Sequence, residues 1–329
     1  MKQRRGIVQK AVGIFMIFLL MVQLSGCGAQ KEEQAVSLKK HGDVAFSYVT
    51  YFQNHLSERQ AGSEREQKAF RYIKSEIQKM GYEESAIDKQ AFQMSTDESS
   101  QNLIVKKEGI SKNVIVIGAH YDSVGTKGVD DNGSGVAALL ECAKRAKQIE
   151  TPYSFEFVFF GAEETGLEGS KHFVEQMSKA DKENLLFVLN MDSILVGDKT
   201  YAYSGTVDAQ GEISGTEYLP IIQELALENQ IKLEENPGKD PEYPTPTTGD
   251  WSDHAPFAAV GIPYIYFEAT NWDLPPFDGM AETKVLGKIM HTSSDDLAVI
   301  EKVFPNRAKK NLVTFTRLLS AVLECSDFK

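Results

Sequence analysis

Apolar residues along this chain recur in two spacings, and each spacing predicts a different kind of element. Between residues 64 and 80, Ala69, Ile73, Ile77 and Met80 fall near one face, which predicts a helix that ends at Gly81. Similar runs predict helices at 136–146, 169–176, about 217–229 and 301–324. Short continuous apolar runs predict strands at 102–105, 114–118, 155–160, 185–191 and 263–268.

Strands that alternate with helices are typical of an α/β protein. We therefore expect a single domain with a central, mostly parallel or mixed β-sheet that is flanked by helices on both faces. Residues 205–250 contain several glycines and prolines and, apart from the one predicted helix, indicate loop. The sequence contains no internal repeat and no clear linker, so residues 43–329 are expected to form that one domain.

The first 27 residues have the pattern of an export signal. Four basic residues precede an apolar run over 11–22, which is short for a membrane span. Leu24-Ser25-Gly26-Cys27 follows and resembles a bacterial lipobox, in which the cysteine is diacylated and becomes the new N-terminus. We predict a lipoprotein signal peptide at 1–27, a lipid anchor at Cys27 that holds the protein on the outer face of the cell membrane, and a polar spacer at 28–42. A plain secreted protein is the alternative.

The composition is that of a folded protein, with 42% hydrophobic and 25% charged residues in a chain of 329. The formal net charge is −12. Loss of the signal would remove four basic residues and no acidic ones, which leaves 31 against 47, or −16. So acidic a chain argues against nucleic acid as a partner. Three cysteines, one of them Cys27, are too few for a disulfide framework.

Histidine and acidic residues follow three of the predicted strands directly. His120 follows the strand at 114–118, Glu163 and Glu164 follow the strand at 155–160, and Asp192 follows the strand at 185–191. The carboxyl ends of parallel strands meet at one edge of a sheet, where open α/β sheets bind ligands. A glycine-rich turn at 128–135 adds two more acids and opens a helix. These side chains are therefore expected to gather in one cleft.

Several carboxylates in one cleft repel one another, so a cation is the simplest means of keeping them ionised. Imidazole nitrogens and carboxylate oxygens suit zinc, which needs only three protein ligands at a catalytic site. The surplus of ligands suggests two zinc ions that clamp one hydroxide. Of the adjacent Glu163 and Glu164, one can bind metal while the other transfers protons.

Six short motifs carry this chemistry, and their order and spacing resemble those of a known family. The motifs are Gly118-Ala119-His120-Tyr121-Asp122, Asp130-Asp131-Asn132-Gly133-Ser134-Gly135, Gly161-Ala162-Glu163-Glu164, Asn190-Met191-Asp192, Ser252-Asp253-His254 and His291-Thr292. Together they resemble the M28 family of zinc aminopeptidases over roughly residues 57–300. Arg59 and Gly62-Ser63 also resemble the N-terminal segment of that family.

The resemblance implies a ligand set for two zinc ions. His120 and Asp192 would bind one ion, Glu164 and His291 would bind the other, and the carboxylate of Asp131 would bridge them. Asp131 is preferred to its neighbour Asp130 because the bridging acid of the family stands two residues before the glycine of the turn.

Further roles follow from the same resemblance. Glu163 would be the general base, and Asp122 would fix the tautomer of the His120 imidazole. Asp253 and His254 are expected to form a wall of the site, in either a structural or a substrate-facing role.

One position departs from the family pattern. In some relatives a tyrosine before the last zinc histidine is credited with stabilising the oxyanion, and here that residue is Met290. The second zinc with another residue, or else Tyr121 or Tyr243, would have to take this role.

The implied activity is hydrolysis of the first peptide bond of peptides with a free N-terminus, outside the cytoplasm, by a hydroxide held between two zinc ions and assisted by Glu163. Aromatic residues that could line a pocket for the first side chain are Tyr243, Trp251, Phe257, Trp272 and Phe277. Three alternatives remain open: a glutaminyl-peptide cyclase with one zinc on the same fold, a carboxypeptidase or deacylase with two zinc ions, and a catalytically silent surface binding protein.

Overall fold

The computed structural model describes residues 40–329, and the predicted signal peptide and Cys27 lie outside the described residues, as does most of the predicted spacer. The helices of this range are α1 (Asp43–His55), α2 (Glu64–Lys79), α3 (Gly133–Ala146), α4 (Glu168–Gln176), α5 (Lys179–Asn184), α6 (Leu219–Glu228), α7 (Ala255–Ala258), α8 (Leu297–Val303) and α9 (Arg307–Glu324). None of them is long and apolar enough to cross a lipid bilayer.

Seven strands form the central sheet, and a separate two-stranded ribbon lies outside it. The strands are β1 (Ile87–Gln93), β2 (Ser99–Lys107), β3 (Val114–His120), β4 (Ser154–Phe160), β5 (Leu185–Met191), β6 (Lys199–Tyr203), β7 (Thr206–Val207), β8 (Ile213–Ser214) and β9 (Tyr264–Thr270). The sheet order is β1-β2-β4-β3-β5-β9-β6, and β7 pairs with β8. The four central strands are parallel to one another, whereas β1, β2 and β6 run antiparallel to their neighbours. The prediction of a mixed α/β sheet is confirmed.

Side chains of the central strands alternate between two hydrophobic clusters, one on each face of the sheet. Ile115 and Ile117 of β3 lie in the larger cluster with residues of α1, α2, α3, α6, α8 and α9. Val116 lies in the smaller cluster with residues of α4 and α7. Burial on both faces requires apolar residues at successive positions, which is why these strands are continuous apolar runs in the sequence.

The predicted elements are found with small shifts of their ends, and one prediction is wrong. The helix predicted at 301–324 is two helices, α8 and α9, with Pro305 between them. Proline lacks an amide hydrogen and disfavours helical geometry at the preceding residue, so the chain leaves α8 at Phe304 and begins α9 at Arg307.

Candidate metal centre

Three neighbouring parallel strands deliver the predicted site residues to one edge of the sheet. His120 is the last residue of β3, and Asp192 comes directly after β5. Glu163 and Glu164 follow β4 after a turn of two residues. Because β4, β3 and β5 are adjacent and parallel, their carboxyl ends lie side by side. The structure thus brings these four predicted residues together.

The carboxylate of Asp131 lies between two histidines. Its Oδ1 is 3.3 Å from Nε2 of His120, and its Oδ2 is 2.9 Å from Nε2 of His291. Asp131 is placed by the start of α3, where the side chain of Asn132 accepts a hydrogen bond from the amide of Gly135. One carboxylate with an oxygen toward each histidine has the arrangement needed to link two cations.

Each histidine is also close to one further acid. Oδ1 of Asp192 is 3.4 Å from Nε2 of His120, and Oε2 of Glu164 is 2.9 Å from Nε2 of His291. Oε2 of Glu163 lies 3.9 Å from Nε2 of His120. Ligand atoms of His120, Glu163 and Asp192 lie within 4.8 Å of one another, as do those of His120, Asp131 and Glu164. Donor atoms therefore converge on two adjacent positions.

These acids are buried with little compensating charge. Asp131 is 5% exposed and Glu163 is 7% exposed. Within residues 40–329, no lysine or arginine forms an ion pair with Asp131, Glu163, Glu164 or Asp192. Burial raises the pKa of Glu163 well above its usual value. An uncompensated group of this kind is costly unless cations join it.

The acidic surroundings of the two histidines favour their positively charged forms. Burial disfavours the charged imidazole of His120, yet Glu163 and Asp192 raise the pKa of that ring well above its usual value. Hydrogen bonds to Asp131 and Glu164 raise the pKa of His291 to about 10. Without metal, the site thus acquires a positive charge at each histidine, and two divalent cations would meet the same demand. Nitrogen and oxygen donors of this type fit zinc.

Buried acids outside the ligand set hold the loops in place, and Asp122 is the one that the sequence predicts. Its Oδ1 is 3.5 Å from Nδ1 of His120. The two oxygens of Asp122 also accept hydrogen bonds from the amides of Glu163 and Glu164, at 3.1 and 3.2 Å. One carboxylate therefore holds the loop that follows β4 and lies beside the His120 imidazole.

Two other acids act in the same way and were not predicted. Asp295 accepts hydrogen bonds from the amides of Val129, Asp130 and Asp131, and burial raises the pKa of Asp295 to about 7. Glu282 accepts hydrogen bonds from the amides of Ile289 and Met290, directly before His291. Asp295 follows the His291-Thr292 motif closely, which was a weak signal in the sequence, whereas Glu282 lies in an irregular stretch and gave none.

Left-handed backbone also occurs at these loops. Ala162, Ser193 and His291 have φ values of 54°, 49° and 59°. Such values are uncommon for residues other than glycine and cost free energy, and they are found most often at functional sites. Each residue adjoins or belongs to the cluster, so the surrounding hydrogen bonds hold the ligand loops in a conformation that they would not favour alone.

A cavity of about 480 Å³ opens beside the cluster. Asp131, Glu163, Glu164, Asp192 and His291 form one side of it. Other lining residues are Gly166, Leu167, Lys171, Ser193, Asp250, Trp251, Tyr266, Glu268, Met280, Lys288 and Met290. Of the five aromatic residues predicted for a pocket, only Trp251 lines it, whereas Tyr266 was not predicted.

Asp253 and His254 are both buried, and neither lines this cavity. The ring of His254 stacks on Tyr266 with 4.7 Å between centroids, and its Nε2 is 3.1 Å from the carbonyl oxygen of Gly249. Burial lowers the pKa of His254 to about 3, so this imidazole is neutral. The geometry thus favours a structural role over a substrate-facing one.

The two tyrosines considered for the oxyanion also lie elsewhere. Tyr121 is fully buried and donates a hydrogen bond to the carbonyl oxygen of Gln101. Tyr243 packs against Trp251 and Trp272. Neither lines the cavity, so neither is placed to reach a substrate there.

Known proteins of similar sequence include several that are named aminopeptidases. The chain is 29% identical to the alkaline phosphatase isozyme conversion protein of Escherichia coli K12 over 315 residues, which covers 86% of this chain and 90% of that protein. It is 31% identical to aminopeptidase YwaD of Bacillus subtilis over 63% of this chain and 42% of that protein. A probable lipoprotein aminopeptidase of Mycobacterium tuberculosis, LpqL, is 38% identical over 34% of this chain and 24% of its own length.

Solved structures with the same fold include a zinc aminopeptidase from Bacillus subtilis, with a TM-score of 0.69, 17% identity, and coverage of 89% of this chain and 97% of that one. A glutaminyl cyclase from an Acidobacteriales bacterium has a TM-score of 0.62 and 21% identity, and covers 90% of this chain and 99% of its own. The sequence model of peptidase family M28 matches residues 102–316, which is more than half of the chain. The chain therefore belongs to peptidase family M28.

Proposed function

We propose that this protein is a zinc-dependent aminopeptidase that removes the N-terminal residue of peptides with a free N-terminus. The observation that carries the proposal is the carboxylate of Asp131 between His120 and His291, with Glu163 beside them in the wall of a cavity. Membership in the family and the names of the relatives support the same activity.

Five residues would hold two zinc ions. His120 and Asp192 would bind one ion, His291 and Glu164 would bind the other, and Asp131 would bridge them. When bound, zinc would polarise the scissile carbonyl group and lower the pKa of a bound water near the reacting carbon. Asp122 would keep Nε2 of His120 directed at its ion through the contact at Nδ1.

Glu163 would move the proton. Its carboxylate lies in the cavity wall next to both ligand groups, and burial raises the pKa of Glu163 well above its usual value. A carboxylate of this kind can accept a proton from the attacking water and then deliver it to the nitrogen of the leaving amine. Oε2 of Glu163 is 3.9 Å from Nε2 of His120, which places the carboxylate beside the proposed ligands.

Tyr266 is our candidate for the hydrogen-bond donor that Met290 cannot supply. Tyr266 lines the cavity, and its hydroxyl has no hydrogen-bond partner within residues 40–329. A phenol at this position could donate to the oxygen that becomes negative as the carbonyl is attacked.

The test uses aminoacyl-p-nitroanilides with a free or an N-acetylated amine, before and after chelation and return of zinc. We expect cleavage only of free-amine substrates, loss of activity with chelator and its recovery with zinc. Glu163→Gln should lower kcat by roughly 10²–10⁴-fold while the zinc content stays that of the wild type. Glu175→Gln makes the same chemical change at an exposed position of α4 and should keep full activity. Equal activity of the two variants would refute the assigned base.

The second candidate function is glutaminyl-peptide cyclisation, because a glutaminyl cyclase shares the fold over most of both chains. In that case the protein would release ammonia from peptides that begin with glutamine and would free no amino acid. Both products can be measured in one reaction with a glutamine-initiated peptide, and ammonia without free glutamine would replace the aminopeptidase proposal by this one.

We also propose that the protein is exported and anchored through a lipid on Cys27. The lipobox-like Leu24-Ser25-Gly26-Cys27 and the relative LpqL, a probable lipoprotein aminopeptidase, support the proposal. Mass spectrometry of the mature N-terminus should find a diacylglyceryl group on Cys27, and Cys27→Ser should release the protein from membranes. An unmodified Cys27 in a cleaved chain would favour plain secretion.

A further inference from the structure

Glu268 is a buried acid in the cavity wall to which the proposed mechanism gives no task. It lies on β9 two residues after Tyr266, so both side chains point to the same face of the sheet. Glu268 is 3% exposed, and it nevertheless lines the cavity. Carboxylates of this burial are rare unless something compensates their charge.

A chain of two hydrogen bonds fixes this carboxylate from behind. Nε1 of Trp272 donates to the hydroxyl of Tyr203 at 2.6 Å, and that hydroxyl donates to Oε2 of Glu268 at 2.7 Å. Tyr203 and Trp272 are themselves fully buried. The carboxylate is therefore held in one orientation before any ligand arrives, which lowers the cost of binding to it.

The protein supplies no positive partner for Glu268. Within residues 40–329, Tyr203 is its one hydrogen-bond donor, and no lysine, arginine or histidine lies within 4 Å of its oxygens. Burial raises the pKa of Glu268 well above its usual value, and the negative charges of Asp192 and Glu282 raise it further. A cation that entered the cavity would compensate this charge, whereas a neutral apolar group would leave it unpaired.

The rest of the cavity fits a long side chain that ends in a cation. Trp251, Tyr266, Met280 and Met290 provide apolar walls against which methylene groups can pack. Two lysines, Lys171 and Lys288, also line the cavity, but both are exposed, as is the acidic Asp250. The buried part of the lining thus has negative charge and the exposed part has both signs.

We propose that the cavity selects peptides whose N-terminal residue is arginine or lysine, with Glu268 accepting the cationic end of that side chain. This inference rests on the proposed aminopeptidase function and specifies its substrate class. Trp251 and the two methionines contact the aliphatic part of the side chain, and Tyr203 is a positioning residue that acts through Glu268.

The test compares kcat/KM for the p-nitroanilides of arginine, lysine, leucine and methionine, with the zinc-loaded full-length protein. The wild type should cleave the arginine and lysine substrates at least tenfold better than the leucine substrate. Glu268→Gln keeps the size of the side chain and removes its charge. The ratio of kcat/KM for the arginine substrate to that for the leucine substrate should fall at least 30-fold, because the cationic end of the arginine side chain is then buried without a charged partner. Glu224→Gln, exposed on α6, is the matched control and should keep the ratio.

Two results would overturn the proposal. One is a wild-type preference for leucine or methionine over the basic residues. The other is an equal loss for all four substrates in Glu268→Gln, which would mean that Glu268 supports the fold or binds the α-amine that all four share. If this variant does not fold, inhibition of the wild-type protein by two amino-acid amides replaces it as the test. Argininamide should then inhibit at least tenfold more tightly than norleucinamide, and equal inhibition would overturn the proposal.

Failure of the specificity proposal can be told apart from failure of the proposed function. If no aminoacyl substrate is cleaved at all, the peptidase proposal has failed, and calorimetric binding of argininamide and norleucinamide still measures the preference of the cavity. Equal binding of the two amides would refute the role of Glu268 in either case.

Discussion

At the scale of single residues, replacing Tyr266 should slow the catalytic step and leave substrate binding almost unchanged. Its hydroxyl has no partner within the described residues, so Tyr266→Phe costs the free protein no hydrogen bond. We expect kcat to fall by roughly 10²-fold with little change in KM, as for loss of one oxyanion donor. Steady-state kinetics on an aminoacyl-p-nitroanilide measures both constants.

Tyr264→Phe is the control for this change. Tyr264 lies on the same face of β9, but its hydroxyl donates to the carbonyl oxygen of Gly205 at 2.8 Å, and it does not line the cavity. Its loss should lower the stability by about 1 kcal/mol and leave kcat unchanged. A Tyr266→Phe variant with the kcat of the wild type would remove Tyr266 from the mechanism.

The sequence predicts the residues that stand at strand ends in short motifs. His120, Glu164 and Asp192 are of this kind, Asp131 stands in a motif at the start of α3, and the structure brings all four together with His291. Other residues of the site could not be found in this way because they stand in no short motif at a strand end. Glu282 acts on the loop before His291, and Glu268 stands within an otherwise apolar run.

At the scale of elements, Arg59 joins three segments around the site. It donates hydrogen bonds to the carbonyl oxygens of Leu56 after α1, Tyr121 after β3, and Lys127 and Gly128 in the turn that leads to Asp131. Burial lowers the pKa of Arg59 to about 10, which leaves it charged at neutral pH. Its guanidinium thus ties the turn before Asp131 to the strand that ends in His120.

Arg59→Met should therefore destabilise the protein by about 2–4 kcal/mol, because four carbonyl oxygens lose a charged donor. Zinc affinity should fall as well, since the turn carrying Asp131 loses its support. Arg65→Met removes a side chain that is 58% exposed and paired with Glu58, and it should cost less than about 1 kcal/mol. Urea unfolding with zinc present measures both, and equal midpoints for the two variants would contradict this role of Arg59.

The central elements could be predicted from the sequence, and the outer ones could not. Strands β3, β4, β5 and β9 are buried on both faces over most of their length, so they are mostly apolar in sequence. β1 and β6 lie at the sheet edges. In β1 only the first and sixth residues are buried, so its polar residues hide the strand pattern. Helix α1 was missed as well, although five of its residues are buried.

At the scale of the whole molecule, the predictions of an α/β fold and of a peptidase are confirmed. The acidic site gives the metal-free protein a characteristic pH dependence. The pKa of His291 is raised to about 10, against 6.5 for an ordinary histidine. A raised pKa means that the folded state holds a proton that the unfolded state has lost. The resulting stabilisation is complete below about pH 6.5 and is lost as the pH rises toward 10.

We therefore expect the Tm of the chelated protein to fall between pH 7 and pH 9. His254, with a pKa lowered from 6.5 to about 3, is neutral in the folded state, and the unfolded state loses its proton mainly below pH 7, so His254 adds little slope in this range. Zinc replaces the protons, so the zinc-loaded protein should have a higher Tm and a flatter profile. Circular dichroism melts at several pH values check both statements, and a chelated protein whose Tm rises with pH would contradict the charge distribution described above.

The central claim is that the metal centre removes one residue at a time from a free N-terminus. Mass spectrometry of a ten-residue peptide incubated with the zinc-loaded protein tests it most directly, with N-acetylated and C-amidated forms of the peptide in parallel. We expect stepwise loss of N-terminal residues from the free and C-amidated peptides and none from the acetylated one. Shortening of the acetylated peptide, or no shortening of any peptide by a folded, zinc-loaded protein, would contradict it.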